Sequence, residues 1–211
     1  IESLPKLNRI VKIDKNTDSK FWSEKTKALE GYNRILIICG QHARFEQSIY
    51  ENIVKFFEKF NCVFSVEHTS NIAFKGSLLT YPIIEMTKKY AAKKLSADLI
   101  ISMGENLVTY QIKSFVDQMS GDNVEHWVIN NTKYLKDPFK KLTTIFNCSI
   151  HDFFDEILKY SKSNTSNNLE YYNNWSNSLE TIELPEDLGF TQFGIIKKFA
   201  SCIPQNTIVH T

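Results

Sequence analysis

The sequence predicts an α/β protein: a Rossmann-like, doubly wound parallel sheet with extra segments at both ends. Three observations carry that expectation. Apolar runs of strand length recur along the chain, amphipathic stretches of helical period separate them, and glycine follows two of the runs. Helices covering both faces of a parallel sheet leave this pattern, because each inner strand is buried on both sides and reads as continuously apolar.

The first unit runs from Arg34 to Phe60. Ile35-Leu36-Ile37-Ile38-Cys39 is too short for a typical helix and stops at Gly40, so it is read as a buried strand; Ile49, Ile53, Phe57 and Phe60 then mark one helical face. Cys62-Val63-Phe64-Ser65-Val66 is a second strand, with the polar loop Glu67-His68-Thr69-Ser70-Asn71 at its carboxyl end. A helix is expected over Tyr81 to Leu95, ending in the solvated pairs Lys88-Lys89 and Lys93-Lys94. Ala97 to Met103, closed by Gly104, repeats the strand-then-glycine design, and Ile112, Phe115, Val116 and Met119 follow at 3-4-3 spacing as a helix that Gly121-Asp122 closes. Glu125 to Asn130 and Leu142 to Cys148 are further strands, and Ile150 to Tyr160 is a helix with Phe153, Phe154, Ile157 and Leu158 inward.

These elements divide the chain into an entry segment with a helix over residues 1–32, a Rossmann-like domain over 33–161, a linker and helix over 162–189, and the start of a further domain over 190–211. The polar run Ser161 to Asn168 has no core-forming capacity, and a helix from Leu169 to Leu179 follows it. After Pro185, Ile195, Ile196, Phe199 and Ile203 form a helical face that Pro204 stops, before a strand at Thr207 to His210. A chain that opens on Ile1 and closes on a strand is expected to be a segment of a longer protein.

Composition excludes several functions. The 211 residues carry 25 basic and 24 acidic side chains, a formal charge of +1, so no whole-molecule field draws nucleic acid or an anionic membrane. No run approaches the roughly 18 apolar residues of a membrane span, and no secretory signal opens the chain, so a cytoplasmic location is expected. Cys39, Cys62, Cys148 and Cys202 form no Cys-x-x-Cys pair and read as buried reduced thiols. The five histidines, His42, His68, His126, His151 and His210, sit on separate elements without metal-ligand spacing, so no metal site is expected.

Catalytic motifs are missing as well. There is no Gly-x-Ser-x-Gly elbow and no phosphate loop. Gly40-Gln41-His42-Ala43-Arg44 and Gly104-Glu105-Asn106 lie where open α/β folds collect ligands, and the first could hold an anion at a helix start. Neither matches the Gly-x-Gly-x-x-Gly fingerprint, and structural turns are the plainer reading.

A resemblance adds to this. Glu67-His68-Thr69-Ser70-Asn71, Ala97 to Gly104, Ile112-Lys113-Ser114-Phe115, Glu125-His126-Trp127 and Asp137-Pro138-Phe139 resemble the central domain of the 2-succinyl-5-enolpyruvyl-6-hydroxy-3-cyclohexene-1-carboxylate synthases, and Phe190 to Thr211 resembles the opening of their diphosphate-binding domain. The resemblance implies a three-domain, homo-oligomeric parent of menaquinone biosynthesis. Such a parent decarboxylates 2-oxoglutarate on thiamine diphosphate and adds the succinyl unit to isochorismate, the cofactor supplying carbanion stabilisation. It also implies that thiamine diphosphate and magnesium are held by the two other domains, which are this chain's partners, and that this segment alone holds no cofactor and is inactive. Substrate-binding positions carried over are Tyr110, Gln111 and Asn71. Where the family places a Lys-Arg pair to meet substrate carboxylates, this chain has Tyr110 and Gln111, which replaces charge-assisted contacts by neutral ones. A thiamine-dependent decarboxylase, an acetolactate-synthase-like enzyme, or a non-catalytic nucleotide-binding or scaffold domain are the alternatives.

Overall fold

The computed structural model describes residues 10–16, 18–87, 95–119, 124–132, 137–162, 169–183, 188–205 and 207. Among them are seven parallel strands: β1 Val11–Asp14, β2 Ile35–Cys39, β3 Cys62–Val66, β4 Ser77–Leu78, β5 Leu99–Met103, β6 Glu125–Ile129 and β7 Leu142–Asn147. They form one sheet in the order β1-β7-β6-β5-β2-β3-β4. From β2 the chain winds outward through β3 and β4, crosses back to β5 on the other side of β2, and winds outward again through β6 and β7. This is the doubly wound α/β fold, and its switch point lies between β2 and β5.

The helices are α1 Ser19–Leu29, α2 Gln47–Lys59, α3 Tyr81–Thr87, α4 Tyr110–Gln118, α5 Ile150–Tyr160, α6 Glu170–Glu180 and α7 Gln192–Ser201. Every residue of β2 and β3 is buried, which is why β2 reads as an unbroken apolar run and β3 as one interrupted only by Ser65. Helices α1, α2 and α5 cover one face. There Trp22, Phe56, Phe64, Phe146, Phe153 and Phe154 form an aromatic core, with centroids 4.8 Å apart for Phe146 and Phe153 and 5.1 Å for Phe56 and Phe154. Ser149 and Asp152 cap α5 reciprocally, and Lys15 reaches Asp152 at 2.8 Å. On the other face α3, α4 and α6 pack; Trp175 meets Phe115 at 5.5 Å, and the buried Tyr171 hydroxyl donates to the Leu95 carbonyl at 2.8 Å.

The segment before residue 33 supplies sheet and core: β1 pairs with β7, and Trp22 of α1 is buried against Phe146 and Phe153. Chain contacts gather residues Ile1–Thr181 into one unit, α6 included, and Ile182–Thr211 into a second that holds α7. In α7, Phe193, Ile195, Ile196 and Phe199 are exposed. Three cysteines are buried and Cys202 is exposed, so the reading of all four as buried thiols fails at Cys202, which follows α7 on the small second unit. The expected second half of the helix over 88–94, the turn at 121–122, most of the run 161–168, Pro185 and the strand at 208–210 lie outside the described residues. Among the described residues no helix is long and apolar enough to cross a membrane.

Candidate functional site

The carboxyl edge of the sheet divides into a laced part and an open part. At the switch point the loops after β2 and β5 are tied to each other: Gly40 N–H donates to the Met103 carbonyl at 2.9 Å, Gln41 N–H to the Asn106 carbonyl at 2.9 Å, and Glu105 N–H to the Gln41 carbonyl at 2.8 Å. Gly104 sits at φ +83°, and a Cβ there would lie 2.9 Å from the Gly40 carbonyl oxygen, so glycine is required on both conformational and steric grounds. His42 N–H donates to the Thr69 carbonyl at 3.1 Å, and helix α2 starts only at Gln47, behind an acidic N-cap, Glu46. The Gly40, Gln41 and His42 amides are therefore already engaged, and Glu46 puts a carboxylate where the helix would attract an anion.

The protein supplies its own anion at the next helix. Glu67, 7% exposed, accepts from Val108 N–H and Thr109 N–H at 2.8 Å each and from the Thr109 hydroxyl. Thr109 is the N-cap of α4 and, with its hydroxyl turned to Glu67, gives that helix no side-chain cap. Ser70 completes the arrangement: its hydroxyl accepts from Glu67 N–H at 2.9 Å and donates to the Cys39 carbonyl at 2.5 Å. The start of α4 is thus fixed to the ends of β2 and β3 through one buried carboxylate.

Beyond this lacing lies a cavity of about 700 Å³ at the carboxyl ends of β5 and β6, within the range of small-molecule sites. Thr132 and Pro138, in the crossover between β6 and β7, line it opposite α4. Ile38 and Val128 give it an apolar floor, and Asn106, Tyr110, Lys113 and Asn130 give it polar walls. Ser102 and His126 meet at this floor, with Oγ and Nε2 2.7 Å apart, and His126 Nδ1 lies 3.6 Å from Asp137 Oδ1, too long for a direct hydrogen bond. His126 is fully buried against the Phe139 ring at 5.2 Å; burial, partly offset by Asp137, lowers its pKa to about 4.

Of the positions expected from sequence, Tyr110 opens α4, is 72% exposed, and lines the cavity. Gln111 is half-buried and not among its lining residues. Asn71 is elsewhere: it adopts a left-handed conformation, φ 53°, and donates from Nδ2 to the His42 carbonyl at 2.6 Å, tying two loops together. Glu67 and the Ser102–His126 pair escaped the sequence reading. Alternation places both members of the pair on one sheet face only once β5 and β6 are known to be neighbours in this register.

The family model described as the middle domain of thiamine pyrophosphate matches residues 34–210. The chain belongs to the middle-domain family of thiamine pyrophosphate enzymes. No curated protein matches the chain. As a middle domain it has the expected doubly wound sheet, and the family match includes β2 to β7 while leaving β1 and α1 outside. The cofactor itself does not suit this edge of the middle domain. Among the described residues no three His, Cys, Asp or Glu side chains gather as a metal site, and the Gly40, Gln41, His42, Glu105, Val108 and Thr109 amides of these loops are bound to carbonyls or to Glu67. A middle domain of this build offers an open cavity beside α4 instead.

Proposed function

We propose that this chain is the middle domain of a 2-succinyl-5-enolpyruvyl-6-hydroxy-3-cyclohexene-1-carboxylate synthase, a cytoplasmic, homo-oligomeric enzyme of menaquinone biosynthesis. Thiamine diphosphate and magnesium sit on its two other domains. The observation that carries the reading is the position of Tyr110, exposed at the first turn of α4 and lining the open cavity at the strand carboxyl ends, where α/β folds take their ligands. In this reading the domain's contribution to the reaction is binding and orientation of the acceptor. Tyr110 offers a neutral donor, and Lys113, one turn on and lining the same cavity, offers the one ammonium of that helix wall for a carboxylate. Gln111 stands beside them as the second position of the family's basic pair, and Asn71 serves through the loop it fixes.

A second reading has an observation in its favour. The absence of cations at Tyr110 and Gln111 suits an acceptor with fewer carboxylates, as in another thiamine-dependent decarboxylase or an acetolactate-synthase-like enzyme. Turnover by the full-length enzyme separates the two. The first reading expects 2-oxoglutarate to be consumed in the presence of isochorismate, with pyruvate ignored; preferential use of pyruvate would establish the second. Within the first, Tyr110→Lys with Gln111→Arg is expected to tighten acceptor binding, read as a lower KM for isochorismate.

A further inference from the structure

Behind the cavity floor a nucleophile, a base and a carboxylate follow one another, with Ser102 alone of the three lining the cavity. Ile100 pairs with His126 and Ser102 with Val128, so Ser102 and His126 rise on the same sheet face, one pleat apart. Ser102 is half-buried and lines the cavity, while His126 is fully buried behind it. With Nε2 accepting from the Ser102 hydroxyl at 2.7 Å, the ring proton resides on Nδ1, which lies 3.6 Å from Asp137 Oδ1. Asp137 is itself anchored, its Oδ2 accepting from Leu142 N–H at 3.3 Å, and the edge-on ring of Phe139 packs against the imidazole. Nucleophile against base, a carboxylate near that base, and an open volume beside the nucleophile are three of the parts that acyl transfer uses.

We propose that Ser102 is an acyl-accepting nucleophile activated by His126 and Asp137, serving small carboxylic esters with a short apolar acyl group. The apolar walls contributed by Ile38, Leu107, Val108 and Val128 receive the acyl chain, and Lys113 tolerates an anionic end. The Ser102 oxygen attacks the ester carbonyl carbon as its proton passes to His126 Nε2. The bond to the leaving alkoxide then breaks and the alkoxide takes that proton, leaving an ester on Ser102. Water adds by the same route, its proton passing through Nε2 to the serine oxygen, and a carboxylic acid departs. No oxidant, metal or cofactor enters the balance. His126 is neutral at neutral pH because burial disfavours the imidazolium, so Nε2 is free to accept the proton, and Asp137 partly offsets the burial by supporting the charge once the proton arrives.

The test treats the 211-residue chain with a fluorophosphonate probe and, separately, with p-nitrophenyl acetate. The expected result is one phosphonyl adduct mapped to Ser102 by peptide mass spectrometry, abolished in Ser102→Ala and retained in Ser114→Ala. Labelling and hydrolysis are expected to slow about 10²-fold in His126→Gln, the usual contribution of a positioned general base. Asp137→Asn leaves the imidazole in place and is expected to slow both as well, which covers the case in which His126→Gln does not fold. No adduct on Ser102 in the unmodified chain, or labelling at an unchanged rate in Asp137→Asn, would overturn the proposal. Either failure leaves the synthase reading untouched, since that reading rests on turnover by the full-length enzyme.

Discussion

At the scale of the residue, single polar side chains decide how the carboxyl edge is organised. Glu67 is the clearest: its carboxylate satisfies two backbone amides and a hydroxyl at the start of α4. Glu67→Ala leaves the Val108 and Thr109 amides without that acceptor and is expected to destabilise the chain by about 3 kcal/mol, read by urea denaturation. His126 gives a pH signature. Its folded pKa of about 4 lies below the unfolded value of roughly 6.5, so the native state binds fewer protons between them. Its contribution is fully present above pH ~6.5 and is lost as pH falls towards the folded value. The chain should therefore lose stability across that window more steeply than His126→Gln, measured by denaturation at a series of pH values. Neither residue announced its role in sequence. Glu67 sits in a polar loop like any other, and its partners at Val108 and Thr109 are more than forty positions away, about as far as local patterning is blind.

At the scale of the element, strands and helices were legible wherever burial imposed a pattern. Ile35–Cys39 is buried throughout and Leu99–Met103 at every position but Ser102, so both read as largely apolar runs, and α4 kept its apolar stripe of Ile112, Phe115 and Val116. β1 and β4 were not legible. β1 is an edge strand with only Ile13 buried, and β4 is two residues long, so neither carries an alternation that can be told from loop. The unit β5–turn–α4 positions the site, and Gly104 is its pivot. Gly104→Ala adds a Cβ against the Gly40 carbonyl at a left-handed backbone position, and a loss of about 1–3 kcal/mol is expected. Thermal or urea unfolding checks it, and the same substitution should disturb the cavity wall that Glu105 and Asn106 form.

At the scale of the whole molecule, the doubly wound class followed from the alternation of elements, but the strand order did not. That order depends on which neighbour each crossover selects, and it alone places β5 beside β2 and sets the cavity between α4 and the connection after β6. The same order explains why the entry segment reads as peripheral yet folds as core: β1 reaches the sheet only through β7, more than a hundred residues later. The synthase reading proposed above makes one plain demand of the molecule, namely that the cofactor is held by other domains. Titration calorimetry of the 211-residue chain with thiamine diphosphate and magnesium tests this most directly. That reading predicts heats of dilution alone, with the native fold verified in the same sample, whereas saturable uptake of the cofactor by this chain would contradict it.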